Sequence, residues 1–326
     1  MKKISWGIIG CGDVTEVKSG PAFSKVKNSE LVAVMRRDAA KAKDYALRHH
    51  VPKWYSDAND LINDPDINAI YIATPPSSHE EYTIAALQAG KPVYVEKPMS
   101  VNAASAENMM KTVAEKKSKL VVAHYRRAQP LFQKIKELLA EKVIGEIHFA
   151  RLAFYKKPLS QAELNLEKTA WRVNPALAGG GLFHDLAPHQ LDILYYFFGE
   201  VEKASGFANN QGKLYAADDM VTGNILFRSG VQFSGIWCFN VAENDEEDNC
   251  EIVGDKGRII FSFFKQQPVT VIINGKTETF SFDALQHVQQ PMIEQVVTYF
   301  LDEGSNPCSA EEGVKIMKLI DKFTMM

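Results

Sequence analysis

The chain has 326 residues, 46% of them hydrophobic and 24% charged, with a formal net charge of -3. That length predicts two domains, and the composition is that of an ordinary globular protein with enough apolar side chains for a core in each. The mildly acidic balance and the absence of any Lys/Arg-rich block argue against a nucleic-acid partner, and no apolar run reaches the ~18 residues that would predict a membrane span. The four cysteines, Cys11, Cys238, Cys250 and Cys308, are scattered and include no C-x-x-C pair. Such spacing points to a reducing compartment and away from a zinc or disulfide framework. Met1-Lys2-Lys3-Ile4-Ser5-Trp6 runs directly into a strand without the apolar core of a signal peptide, so a cytoplasmic location is the expectation.

In chain order, short apolar runs at 4–9, 31–35, 67–73, 93–95 and 120–123 read as strands, and 39–49, 80–89 and 103–117 read as helices between them. Fully apolar strands alternating with amphipathic helices predict a parallel, doubly wound sheet covered on both faces. The pattern changes after residue 124. A helix over 130–142 precedes Gly145 and an extended stretch at 146–155, and further strands are predicted at 201–208, 220–227, 231–239, 249–254, 258–264 and 270–273. Turns such as Arg228-Ser229-Gly230 and Asn274-Gly275-Lys276 separate several of them, which predicts a mostly antiparallel sheet. Helices over 291–302 and 310–323 close the chain, and 156–178, without periodicity, reads as an irregular loop of the functional kind. The expected fold is therefore α/β, with a doubly wound domain over 1–123 and an α+β domain over 124–326. The last helices are free to pack back on the first domain.

Gly10-Cys11-Gly12 follows the first strand and fits the start of a dinucleotide fingerprint: Gly10 for the tight turn, Gly12 for close backbone approach to a pyrophosphate. Asp13 and Val14 open the next helix, whose amino terminus favours an anion. Thr15 stands where a third Gly or Ala is usual, which predicts looser helix–strand packing. At the end of the second strand, Arg36-Arg37 replaces the acidic residue that would hold NAD ribose hydroxyls. Two guanidiniums suit a 2′-phosphate, so NADP is favoured over NAD. The alternatives are that Arg36 stacks on adenine, or that the pair is solvated while Asp38 caps the next helix. Thr74-Pro75-Pro76 ends the next strand where a nicotinamide ribose would lie. His79 either reaches the cofactor or opens the following helix.

Glu96-Lys97-Pro98 terminates the run at 93–95. In open α/β sheets ligands bind beyond the carboxyl ends of the strands, so Lys97 can present its ammonium there and Glu96 can steady it or touch the cofactor. The densest chemistry lies between Gly179-Gly180-Gly181 and Asp192. A helix is predicted from Leu186, with Pro188 in its first turn and Asp185 as its N-cap. Asp185 and His189, four apart, share a face on a helix. A metal site from His184, Asp185, His189 and Asp192 is disfavoured, because the two histidines are five apart and point in different directions; no metal is expected. Hydride transfer explains more. A histidine suits proton exchange with a substrate hydroxyl, and an ammonium stabilises the developing alkoxide, provided a crevice brings Lys97 and His189 together.

Together the glycine loop, Glu96-Lys97-Pro98 and Gly-Gly-Gly-x-x-x-Asp-x-x-x-His-x-x-Asp resemble the Gfo/Idh/MocA oxidoreductases along essentially the whole chain. The resemblance implies an amino-terminal Rossmann domain and a carboxy-terminal domain with a large, open, mostly antiparallel sheet, commonly used for homodimer or homotetramer contacts. It also implies NAD(P)-dependent chemistry on sugars, polyols or their derivatives. Carried over by position, Lys97 matches the catalytic lysine, His189 the acid/base of the inositol-dehydrogenase-like branch and Asp185 its accompanying carboxylate. Trp171-Arg172 matches a pair lining the substrate pocket, and Tyr125, behind His124, borders the nicotinamide. Relatives similar to dihydrodiol dehydrogenase or glucose–fructose oxidoreductase have tyrosine where His189 stands, so the chain looks more like the polyol and sugar branch. Two other activities stay open on this fold: a non-catalytic dinucleotide or sugar sensor, and an NAD-dependent glycosidase.

Overall fold

The computed structural model describes residues 2–324. They divide into two compact units: the chain up to Tyr125 with Leu285–Met317, and Arg126–Ala284 with the chain from Lys318 on.

In the first unit, strands β1 (Ile4–Ile9), β2 (Ser29–Met35), β3 (Lys53–Tyr55), β4 (Ala69–Ile72), β5 (Val93–Val95) and β6 (Leu120–Val122) form one sheet in the order β3-β2-β1-β4-β5-β6. Every pairing in it is parallel. Helices α1 (Asp13–Val17), α2 (Ala39–Arg48), α3 (Ala58–Asn63), α4 (His79–Gln88) and α5 (Ala103–Lys116) connect the strands. Ile8, Val34, Ile70, Ile72, Val93 and Val95 are fully buried, which is why these strands read as continuous apolar runs. The strand order reverses between β1 and β4, the switch point at which doubly wound sheets take their ligands. Two elements carried no sequence signal. β3, Lys-Trp-Tyr, is a three-residue edge strand, and α3 is a six-residue helix started by the Asp57 side chain, which accepts from Asn59 N–H.

In the second unit, β7 (Ile147–Tyr155), β8 (Val201–Asn209), β9 (Met220–Phe227), β10 (Gln232–Cys238), β11 (Glu247–Gly254), β12 (Gly257–Phe261), β13 (Val269–Ile273) and β14 (Lys276–Phe280) form the second sheet. Its order is β14-β13-β12-β11-β7-β10-β9-β8, antiparallel except where β7 meets β10. Ala150, Leu152, Phe154, Val221, Ile225, Phe227, Phe233 and Trp237 point to the buried face, in strict alternation. The other face is open, with Phe207 74%, Phe149 41% and Ile236 37% exposed. The unpredicted β14 is a polar edge strand, Lys-Thr-Glu-Thr-Phe.

The unit's helices are α6 (Pro130–Ala140), α7 (Gln161–Leu164), α8 (Glu167–Ala170), α9 (Pro175–Ala178) and α10 (Leu182–Phe198). Residues 156–178 are thus not an irregular loop but a chain of single helical turns. Ser160 and Glu163 make a capping box on α7, and Asn174 caps α9 ahead of Pro175; such short turns leave no periodicity to read. The predicted start of α10 is also corrected. The helix begins at Leu182 with Gly181 as its N-cap, so Asp185 lies inside its first turn and Pro188 deeper still. Pro188 cannot donate to the His184 carbonyl, a cost that packing offsets, since Leu182–His184 and Ala187–Tyr195 are all buried. Two helices end the chain, α11 (Gln290–Phe300) and α12 (Ala310–Thr324). α11 and the start of α12 count with the first unit.

Candidate active site

The glycine loop is shaped by two different constraints. Gly10 has φ +97, and a Cβ there would stand 2.8 Å from the Thr74 backbone nitrogen, so glycine alone fits against the chain after β4. A Cβ on Gly12 would meet nothing within 4 Å, so this backbone faces open space that a ligand can enter. Gly10 and Cys11 both donate to the Met35 carbonyl, at 2.9 and 3.2 Å, which ties the loop to the end of β2. Asp13 and Val14 start α1, a helix of five residues. Thr15 does not loosen the helix–strand packing, contrary to the expectation for this position. It is fully buried, its hydroxyl folds back to donate to Gly12 O at 2.8 Å, and its carbonyl accepts from the Tyr45 hydroxyl at 2.8 Å. The Arg36 guanidinium donates to Cys11 O at 3.4 Å and so lies beside the loop, while Arg37 is exposed. Asp38 caps α2, accepting from Lys41 N–H at 3.1 Å.

After β4, Thr74 and Pro75 lead into a 3-10 turn, Pro76–Ser78, and His79 is the first residue of α4. The His79 ring is fully buried. Its Nδ1 is 3.0 Å from Pro98 O and its Nε2 2.8 Å from Thr74 O. Both ring nitrogens face backbone carbonyls, and the neutral ring, with one N–H, donates to one of them while it packs between the segment after β4 and the segment after β5. Burial lowers its pKa to about 4, against the pull of the two carbonyls.

Glu96 is 6% exposed, and its carboxylate is filled by donors from three places. Oε1 accepts from the Tyr71 hydroxyl at 2.5 Å and from Gln289 Nε2 at 2.6 Å, and Oε2 accepts from Lys97 N–H at 3.1 Å. Tyr94 donates to Gln289 Oε1 at 3.2 Å, and the Tyr71 and Tyr94 rings stack with centroids 5.2 Å apart. Burial pushes both phenols well above their ordinary pKa. The Lys97 side chain leaves this buried base half-exposed, at the carboxyl end of β5. Nothing local in the sequence announces Tyr71 or Gln289 as part of this arrangement. Gln289 lies 193 residues from Glu96.

In the second unit, Asp185, His189 and Asp192 follow at i, i+4 and i+7 along one face of α10. Arg172 Nε donates to Asp185 Oδ2 at 3.1 Å, and its guanidinium lies over the Trp171 ring, 4.7 Å from the centroid. Trp171, Arg172 and Asp185, three of the residues expected at the substrate site, are thus brought together. His189 is 4% exposed, its ring edge-on to Phe264 with centroids 5.7 Å apart. Asp192 is taken by Arg127: Nε lies 3.1 and 3.0 Å from the two carboxylate oxygens and Nη2 2.7 Å from Oδ1. The glycine run also finds its reason, since a Cβ on Gly180 would stand 1.8 Å from His184 Nδ1. Burial lowers the His184 pKa to about 4. Tyr125 is 7% exposed and opens a 3-10 turn, Tyr125–Ala128.

Residues 4–124 match the oxidoreductase family with an NAD-binding Rossmann fold, and residues 132–260 match the GFO/IDH/MocA C-terminal domain. The chain is 47% identical over 321 residues to "Oxidoreductase P35" of Formosa agariphila, covering 98% of both. It is 32% identical over 262 residues to trans-1,2-dihydrobenzene-1,2-diol dehydrogenase of Oryctolagus cuniculus, covering 78% of this chain and 72% of that one. A solved levoglucosan dehydrogenase in complex with NADH has the same fold, with a TM-score of 0.88 at 22% identity over 98% of this chain and 96% of that one. With both domains matched in order and the parallel and antiparallel sheets in place, the chain belongs to the Gfo/Idh/MocA family and is an NAD(P)-dependent dehydrogenase or reductase.

Proposed function

We propose that the chain transfers a hydride between the nicotinamide of NADP or NAD and a carbon bearing a hydroxyl in a sugar, polyol or sugar derivative. The observation that carries this reading is the half-exposed Lys97 side chain at the carboxyl end of β5, beside the switch point, on a segment fixed by Glu96 and His79. The name of one relative, 1,5-anhydro-D-fructose reductase of Ensifer adhaerens at 28% identity over 82% of this chain, supports the sugar-derivative class. The trans-1,2-dihydrobenzene-1,2-diol dehydrogenases belong to the group from which His189 was expected to set the chain apart, so they support only oxidation of an alcohol on a ring.

The first unit fits a dinucleotide. Gly12 leaves open the space that a Cβ would occupy, Gly10 presses the loop against Thr74, and Arg36 stands at the loop rim. Gly10, Gly12, Asp13 and Val14 would hold the pyrophosphate, Arg36 and Arg37 the adenosine ribose end, and Thr74, Pro75 and Pro76 the nicotinamide end, with His79 and the buried Glu96 bracing these loops from within. The bound cofactor supplies the hydride acceptor or donor. In oxidation, His189 takes the hydroxyl proton and Lys97 stabilises the alkoxide; in reduction, Lys97 polarises the carbonyl and His189 returns the proton. Asp185, held by Arg172, keeps negative charge on the His189 face of α10. Trp171 and Arg172 offer a flat ring and a forked donor to a sugar ring.

Arg36 makes NADP the preferred cofactor. Arg36→Asp is expected to weaken NADPH binding about 10- to 100-fold, the worth of one charge-assisted hydrogen bond, and to spare NADH binding. Fluorescence titration of both cofactors reads this directly, and unchanged affinities for both would remove the phosphate-clamp role. The open face of the second sheet takes a second copy of the chain, giving a homodimer or homotetramer. Phe207→Asp is expected to shift the sedimentation coefficient towards the monomer, and a monomeric wild type would refute that assembly.

A further inference from the structure

We propose that Gln289 is a positioning residue for the Lys97 segment and acts through Glu96; this rests on the role given to Lys97 above. A buried carboxylate is costly unless donors fill its lone pairs. Glu96 meets that requirement with the Tyr71 hydroxyl, Gln289 Nε2 and the Lys97 N–H. Gln289 is itself fully buried, and its amide has one orientation open to it. The Glu96 carboxylate can only accept, so Nε2 must face it, which leaves Oε1 to accept from the Tyr94 hydroxyl at 3.2 Å. Its backbone N–H donates to Lys18 O at 3.2 Å, which anchors it to the chain just beyond α1. Gln289 therefore connects the segment after the glycine loop with the carboxylate on which the Lys97 N–H rests. The residues that set the direction in which Lys97 leaves β5 come from β4 and from the segment immediately before α11.

Three variants test this. Gln289→Leu removes the donor and is expected to speed hydrogen exchange of the Lys97 amide about 10-fold, the loss of roughly one hydrogen bond, with β1 amides unchanged. Turnover is read with levoglucosan and 1,5-anhydro-D-fructose as probes, and kcat is expected to fall about 10- to 100-fold, as for a reacting group displaced by ~1 Å. Gln289→Glu sets two carboxylates where 2.6 Å now separates donor and acceptor, so the pair must share a proton. Its kcat is expected to survive at low pH and fall as pH rises, at temperatures where circular dichroism shows the variant folded. The double variant Glu96→Gln/Gln289→Glu restores one donor and one acceptor, and is expected to recover kcat to within a few-fold and to lose the new pH dependence.

Wild-type exchange at the Lys97 amide in folded Gln289→Leu would overturn the proposal. If that variant does not fold, a pH profile of Gln289→Glu identical to wild type would do the same. Lys97→Met measured alongside separates the two layers. If it turns over normally, the lysine reading fails; if it is inactive while the Gln289 variants match wild type, only the Gln289 inference fails.

Discussion

Lys97→Met is expected to lower kcat about 10²- to 10³-fold, the loss seen when one donor to a developing oxyanion is removed. Methionine keeps most of the apolar stem and removes only the charge. The fold is expected to survive, because it is the backbone N–H of Lys97, not its side chain, that fills Glu96 Oε2. The thermal midpoint should therefore stay close to wild type while kcat collapses. Steady-state kinetics beside a thermal melt checks both halves. A kcat within a few-fold of wild type would take the alkoxide-stabilising role away from Lys97.

Arg127→Met is expected to destabilise the second unit by about 3–5 kcal/mol, because it leaves the Asp192 carboxylate buried without its counter-ion. The side chains of Arg127 and Asp192 are only 5% and 1% exposed, so water cannot replace the lost partner. The guanidinium also lies 5.3 Å from the Tyr196 ring centroid, a contact that methionine would replace only in part. Replacing both partners, Arg127→Met with Asp192→Leu, is expected to recover most of that loss, since the cost lies in the orphaned charge and not in the absence of the pair. Urea unfolding midpoints of the single and double variants measure this. A double variant as unstable as the single one would show that the ion pair is not the source.

The parallel sheet was legible because burial on both faces leaves runs such as Trp6–Ile9 and Ile70–Ile72 apolar without interruption. The second sheet was legible because alternation along 220–227 and 232–238 survives with one face open. What escaped was set by partners far off in sequence. Asp185 and Pro188 look like a helix start, yet the cap belongs to Gly181, whose own constraint is contact with the chain near Ala217: a Cβ there would stand 2.6 Å from the Ala217 Cβ. Thr15 stands where a third Gly or Ala is usual, yet its hydroxyl satisfies the Gly12 carbonyl, a local bond that the fingerprint does not encode. At the candidate site, Lys97, Asp185 and His189 stand in recognisable motifs. Arg127 on Asp192 and Gln289 on Glu96 are pairings across 65 and 193 residues, which no local pattern encodes. His79 was read only as reaching a cofactor or opening a helix. It does open α4, and the buried ring packs between two loops, donating its one N–H to a backbone carbonyl that a side-chain pattern cannot show.

Hydride transfer from a sugar carbon to the nicotinamide is read by isotope transfer, without assumption about product. Levoglucosan deuterated at its hydroxyl-bearing carbons, and a matching panel of deuterated cyclic sugars and polyols, would be incubated with NADP or NAD, and the nicotinamide analysed by mass spectrometry. One deuterium is expected in the reduced nicotinamide formed by the wild type with at least one panel member, and a rate about a hundredfold or more lower with Lys97→Met. Unlabelled nicotinamide with every sugar in the panel, or equal labelling rates in the two proteins, would contradict it.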